Sequence, residues 1–151
     1  MKLIFFAIIL CKRMKIYQAK CAELPGTNFH EVSQKAFGFY NQIRRKTKRR
    51  PYIRSAYFKK DKIFLPLFWS HLQEKLNYKD KTRRIKYFPC AIELIKNSRF
   101  DPESKENVDR RSEILHRFAG RTKNGQFFFV QIKEDKRTGE KWLVSAFPVE
   151  R

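Results

Sequence analysis

Cysteine is scarce and poorly placed for a site. Cys11, Cys21 and Cys90 are odd in number, form no C-x-x-C pair and lie far from any pair of histidines, so neither a disulfide framework nor a zinc site is encoded. They read as reduced thiols of a cytoplasmic protein, with Cys90 in the core. No Walker loop, G-x-G-x-x-G fingerprint, H-E-x-x-H pair or nucleophile elbow occurs, and the acids are too scattered for a magnesium cluster. No metal or other cofactor is therefore expected. Internal repeats and low-complexity tracts are also missing. So is a long apolar run: the longest spans the nine residues Leu3–Cys11, far short of the ~20 needed to cross a bilayer, and a membrane partner is not expected.

That short apolar segment is followed by Lys12, Arg13 and Lys15 rather than by the small residues of a signal-cleavage site. Residues 1–13 read as a short apolar segment or a non-native extension ahead of a start at Met14. A surface anchor formed by Leu3–Cys11 is a weaker reading.

What the chain has in quantity is positive charge and aromatic side chains. Thirty-five Lys and Arg against 15 Asp and Glu give +20 in 151 residues. Such self-repulsion is tolerated most easily when a polyanion partner gains from it. The charge is segregated: Arg44 to Lys86 holds sixteen cations and only Asp61, Glu74 and Asp80 as acids, whereas Asp101 to Glu113 holds five acids. One basic face results, and nucleic acid is its first candidate partner. Fifteen phenylalanines and a 42% hydrophobic fraction supply a core for one domain.

Apolar residues at helical spacing in FHEVSQKAFGFYNQI predict a helix capped by Asn28 and running into RRKTKRR. Pro51 stops it. YIRSAYF alternates, KKD turns, and KIFLPLF follows, so Tyr52 to Leu65 predicts a hairpin loaded with cations. WSHLQEKLNY reads as a short helix with Phe68, Leu72 and Leu76 on one stripe and His71, Lys75 and Tyr78 on the next. A longer helix is expected from Thr82 to Asn97, with Pro89 in its early turns, and then a polar loop, FDPESKENVDRRSE. The last third, EILHRFAGRT, QFFFVQIK and EKWLVSAFP, predicts three strands joined by a tight primed turn at Asn124-Gly125 and a longer bulged loop at Gly139. Strict alternation puts Leu143, Ser145 and Phe147 on one face of the last strand. The fold class expected is α+β: N-terminal helices and a basic hairpin, then a C-terminal antiparallel β-meander. Residues 14–50 form a helical arm with the basic run, and 51–151 the main domain.

Cleavage of RNA without a metal needs a base for the 2′-hydroxyl, an acid for the leaving 5′-oxygen, and cations or N–H donors for the charged transition state. Arg54, His71, Lys75, Arg83, Arg84, His116, Arg117, Gln131, Lys133 and Ser145 are of suitable types. The run Arg44, Arg45, Lys46, Lys48, Arg49 and Arg50 places six cations in seven positions and is read as contacting phosphate. His116 alternates with Ile114 and Phe118 and so faces the core. Trp142 and the phenylalanine run read as core rather than as stacking platforms.

HLQEKLNYKDKTRRIKYFPCAIELIKNSRFDP and FAGRTKNGQFFFVQIKEDKRTGEKWLVSAFP together resemble phage- and mobile-element-associated members of the barnase, EndoU, colicin and RelE ribonuclease superfamily. The resemblance covers about residues 50–148 and lies in the layout: a helical part, a short helix bearing a histidine, then a meander whose last strand carries Ser or Thr before an aromatic residue and Pro. It implies a barnase/RelE-like fold, RNA as substrate, and an antitoxin or immunity protein as a second kind of partner. It further implies catalytic roles for His71, Arg84 and Ser145. Charge and residue type add Arg54 on the phosphate and contacts to nucleic acid from the basic run, Lys75, Arg83, Arg117 and Lys133. Many such relatives have a second histidine shortly after the first. This chain has Leu76-Asn77 there, which leaves His116 as a distant substitute. Two functions follow: a metal-independent endoribonuclease of toxin or mobile-element type leaving a 2′,3′-cyclic phosphate, or a non-catalytic nucleic-acid-binding protein using the same basic face.

Overall fold

A computed structural model describes residues 14–149, so the readings made for residues 1–13 lie outside the described residues. Chain order is β1 (Ile16–Gln18), α1 (Phe29–Lys46), β2 (Tyr52–Arg54), β3 (Lys62–Phe64), α2 (Pro66–Gln73), α3 (Tyr78–Ile85), α4 (Phe88–Asn97), β4 (Glu103–Glu106), β5 (Glu113–Arg121), β6 (Phe127–Asp135) and β7 (Lys141–Pro148). The architecture is α+β. The strands form one sheet in the order β1-β5-β6-β7-β3-β2, with β4 also on β5.

The expected antiparallel sheet is corrected to a mixed one. β5, β6 and β7 pair antiparallel in succession, but β1 joins β5 and β3 joins β7 in parallel. Neither edge addition has a local sequence signal, because both bring together segments distant in the chain. Residues 14–50, read as an arm, are tied into the same body. Val32, Ala36 and Tyr40 of α1 lie in the core cluster. Beyond β1, Glu93 of α4 accepts from the Tyr17 hydroxyl at 2.8 Å and from the Lys20 and Cys21 amides at 2.9 Å each. Burial and that carboxylate push the Tyr17 phenol up to about 12.

One face of the sheet carries Ile53, Ile63, Phe118, Phe128, Val130, Ile132, Leu143 and Ala146, all buried. Against it pack rings from three helices: the Phe88 ring lies 5.1 Å from Phe68 and from Trp69 and 6.1 Å from Tyr40. Each ring buried this fully contributes ~1.5–3 kcal/mol. A Cβ built at Gly120 would stand 2.6 Å from Phe128 Cζ and 2.9 Å from Leu94 Cδ1, so only glycine lets α4 approach β5 this closely. Cys90 is fully buried beneath this layer.

Several expected boundaries move, each for a local reason. The helix anticipated from Thr82 to Asn97 is two, because the Pro89 ring cannot sit inside a continuous helix; the chain breaks at Tyr87 (φ −91°, ψ 1°) and restarts with proline in its first turn. α2 ends at Gln73, which leaves Leu76 97% exposed rather than on the packing stripe. Asn77 instead caps α3, accepting from the Lys79 amide at 2.8 Å. Asn28 caps α1 in the same way, on the His30 amide. The polar loop after Asp101 contains β4, all four of whose residues are exposed. At Asn124-Gly125 only the glycine has positive φ (+87°), and Thr122 closes the turn with Gln126. A primed two-residue turn needs positive φ at its first central position, which Asn124 lacks, so this is a longer glycine-ended loop.

The hairpin is also shorter than the alternation implied. β2 ends at Arg54, and Ser55–Asp61 folds as a compact loop in which Lys59 (φ 54°) and Lys60 (φ 71°) take left-handed conformations. Its hydrogen bonds run from the Lys60 amide to the Ser55 carbonyl and from the Ala56 amide to Ile95 of α4. Tyr57 and Phe58 thereby turn inward to meet Phe118 at 5.6 and 6.0 Å. Among the described residues, no helix is long and apolar enough to cross a membrane.

Candidate active site and nucleic-acid interface

The site is built where β7 loses its alternation. Ile132 pairs with Leu143 and Gln131 with Ser145, so Val144 is the extra residue of a β-bulge. Without it Ser145 would lie on the core face beside Leu143, as strict alternation predicts. The bulge instead turns Ser145 and Phe147 to the opposite, outer face, while Leu143 and Ala146 both stay in the core. Cross-strand register then sets Arg117 of β5, Gln131 of β6 and Ser145 of β7 in one row of side chains on that outer face. Phe129 and Phe147 form the next row, their ring centroids 5.8 Å apart.

β3 pairs with β7 only at Lys141 and Trp142, and the chain turns directly into α2 at Pro66. α2 and α3 consequently lie against the rest of β7. From α3, Arg84 donates through Nη1 to the Ser145 hydroxyl at 2.7 Å, pairs through Nε with Asp80 at 3.2 Å one helical turn back, and rests over the Phe147 ring at 5.3 Å. Arg117 sits over Phe129 and Phe147 at 5.2 and 5.7 Å. Two guanidinium groups therefore share the Phe147 ring, Arg84 in contact with Ser145 and Arg117 beyond Gln131 in the same row.

His71 of α2 belongs to the same neighbourhood. Burial first, then the charge of Lys75 and more weakly that of Arg84, hold the imidazole below its ordinary range, against the opposing pull of Glu74, whose carboxylate stands 3.6 Å from Nδ1. A histidine held low is neutral at pH 7 and able to accept a proton. Three of the four residues assigned catalytic roles, His71, Arg84 and Ser145, thus gather at the junction of α2, α3 and β7, with Lys75 beside them.

Arg54 is placed apart from them. It sits on β2 at the far edge of the sheet, donates to the Lys60 carbonyl at 2.9 Å and lies 5.5 Å from the Tyr52 ring. His116 faces the core, as its alternation predicts, and both ring nitrogens are held: Nδ1 with the Ser104 hydroxyl at 2.6 Å and Nε2 with Glu134 at 2.8 Å. Buried on the opposite sheet face from Ser145, it is no substitute for a second histidine at the site.

The basic residues divide among several regions. Arg44, Arg45 and Lys46 end α1, where cations also suit the helix dipole. Lys46, Lys48, Arg49 and Arg50 line an open groove of about 570 Å³ together with Tyr52, Lys62 and Phe64. Arg83 lines a different, smaller cleft beside Phe29 and Tyr78. Lys133, on the outer face, pairs with Glu113 at 3.5 Å. Trp142 does not join the core. It lies on the outer face in register with Phe64 of β3, which pairs in turn with Tyr52 of β2.

No protein-family model, curated protein or solved structure matches the chain.

Asp80 and Phe147, which fix the Arg84 side chain, were not assigned roles from the sequence. The i, i+4 spacing of Asp80 and Arg84 on a helix was the available signal for the first; Phe147 needed the bulge. Among the described residues, no group of three or more His, Cys, Asp or Glu could hold a metal ion.

Proposed function

We propose that this protein is a metal-independent endoribonuclease of toxin or mobile-element type. The observation that carries the reading is the Arg84–Ser145 contact at 2.7 Å, set beside a histidine held neutral and facing a second arginine across one row of the sheet. His71 takes the proton from a 2′-hydroxyl, and that oxygen attacks the adjacent phosphorus. Arg84, Arg117 and the Ser145 hydroxyl bind the phosphoryl oxygens as charge builds in the transition state. The 5′-oxygen leaves with a proton from the Lys75 ammonium, giving a 2′,3′-cyclic phosphate and a free 5′-hydroxyl. The +20 net charge draws RNA to the site at a salt-dependent rate. On this reading the chain acts in the cytoplasm, is held in check by an acidic antitoxin or immunity protein, and belongs with the barnase, EndoU, colicin and RelE superfamily through a barnase/RelE-like sheet.

A second reading is favoured by one specific observation. With His116 locked in the core, the site has a single imidazole, which suits a protein that binds nucleic acid without cutting it. His71→Ala separates the two. In a nuclease the variant stops cleaving RNA while binding it within about threefold of the parent. A parent that binds RNA steeply with salt and yields no product would be the binding protein.

A further inference from the structure

Three rings of the outer face have no part in the core. Tyr52, Phe64 and Trp142 lie side by side on β2, β3 and β7, their centroids 6.3 and 5.1 Å apart across the register. The inward positions of the same strands already belong to Ile53, Ile63 and Leu143, all buried. Each ring is half-buried and each carries a cation. Arg50 lies 4.2 Å from the Phe64 centroid and 5.0 Å from that of Trp142; Lys62 lies 4.6 Å from Tyr52. The row opens into the groove lined by Lys46, Lys48 and Arg49.

Charge on this surface is little compensated. Glu140 pairs with Arg50 at 3.2 Å, but both side chains are more than 40% exposed, and such pairs are weak. Asp61 is committed to the buried Lys141 ammonium at 2.9 Å. A ligand for the row must therefore bring negative charge at regular intervals and flat apolar faces between. A duplex offers the charge and hides the faces; an acidic polypeptide offers the charge and has few faces. A single nucleic-acid strand offers both.

We propose that the Tyr52–Phe64–Trp142 row and the adjoining groove form a track for one unpaired RNA strand, with bases on the rings and phosphates on the cations, leading to or from the cleavage site. The inference rests on the ribonuclease reading for its direction, since Trp142 and Ser145 stand on the same strand on either side of the bulge, so the track and the scissile phosphate are joined by a few residues of β7. The guanidinium of Arg50 already occupies a stacking position over Phe64 and Trp142. On binding, a base takes that place and Arg50 moves to the neighbouring phosphate. The substrate class named is RNA unpaired for several nucleotides beside the cut.

The test is binding of a fluorescent, 2′-O-methylated 12-nucleotide strand, which resists cleavage through the 2′-oxygen, to the full chain at fixed salt. The same strand in a duplex and poly-L-glutamate as competitor provide the comparisons. The single strand is expected to bind at least about tenfold tighter than the duplex, and Phe64→Leu with Trp142→Leu to weaken it about tenfold or more. Trp142 emission in the parent should change as the strand binds and not when poly-L-glutamate does, a readout that stands even where the double variant fails to fold. Equal affinity for duplex, binding within about twofold in a folded double variant, or full displacement by poly-L-glutamate at equal charge overturns the track. Unmodified RNA is assayed for cleavage in parallel. Cleavage without ring-dependent binding removes the track alone, whereas ring-dependent binding without cleavage removes the nuclease reading and leaves the track standing.

Discussion

Replacing Arg84 by lysine keeps the charge and removes the fork, and the structure gives the size of the effect. The guanidinium uses Nη1 on Ser145 and Nε on Asp80 at once while sitting over the Phe147 ring at 5.3 Å. An ammonium is a single point and keeps one of these partners at most. The Ser145 hydroxyl, on a residue only 4% exposed, then loses a charge-assisted hydrogen bond of about 1.5–3 kcal/mol. The Asp80 pair is a third exposed at the carboxylate and adds well under ~1 kcal/mol. A net loss near ~2 kcal/mol lowers Tm by roughly 4–8 °C in a chain of this size. For cleavage, an aligned donor to the phosphoryl oxygens disappears, which costs about 10²- to 10³-fold in rate. RNA affinity, set mainly by net charge, stays within about threefold. The assay is kcat/KM on a single-stranded RNA together with thermal melts and equilibrium binding. Arg84→Lys cleaving within about threefold of the parent would refute the role, as would a rate loss fully matched by lost binding.

His71 should show itself in the pH profile. Its pKa is held below the ordinary 6.5, and the base works when neutral, so the acid limb of kcat/KM lies below that value. Lys75→Ala removes a lowering charge together with the acid, so the rate falls and the remaining acid limb moves to higher pH, whereas Glu74→Gln removes a raising charge and moves the limb lower; at low salt the two shifts must have opposite signs. Gly120→Ala forces a methyl into Phe128 and Leu94 and is expected to cost ~1–3 kcal/mol in denaturant titration; a change under about 0.5 kcal/mol contradicts the packing. His116→Ala leaves a cavity beside Phe58 and takes the partner from Glu134, and should cost about 2–4 kcal/mol. Per folded molecule it should cleave like the parent, and a selective loss of rate would return His116 to the mechanism.

Local order was legible where local residues decide it. Asn28 as a cap and β5 to β7 as strands follow from side-chain type and spacing alone, whereas α1 already ends at Lys46, ahead of Pro51. Boundaries failed where two local signals compete, as when the apolar spacing across Thr82–Asn97 suggested one helix and Pro89 enforced two. The parallel edges failed because pairing of β1 with β5, or β3 with β7, is decided by burial across the whole chain. At the site, His71, Arg84 and Ser145 could be singled out by chemistry and by a resemblance of layout. Their meeting could not be read, since it depends on one extra residue in β7. Val144 breaks the alternation that put Ser145 on one face with Leu143, and nothing in LVSAF marks it as a bulge. Arg54 stands apart from the other three because sheet order puts β2 at the far edge.

The most direct test of the central claim is digestion of a defined single-stranded RNA by the protein in excess EDTA, with the 3′ ends of the fragments identified and His71→Ala run alongside. The account predicts fragments ending in 2′,3′-cyclic phosphate from the parent and intact RNA from the variant. Fragments ending in 3′-hydroxyl, or identical digestion by His71→Ala, would contradict it.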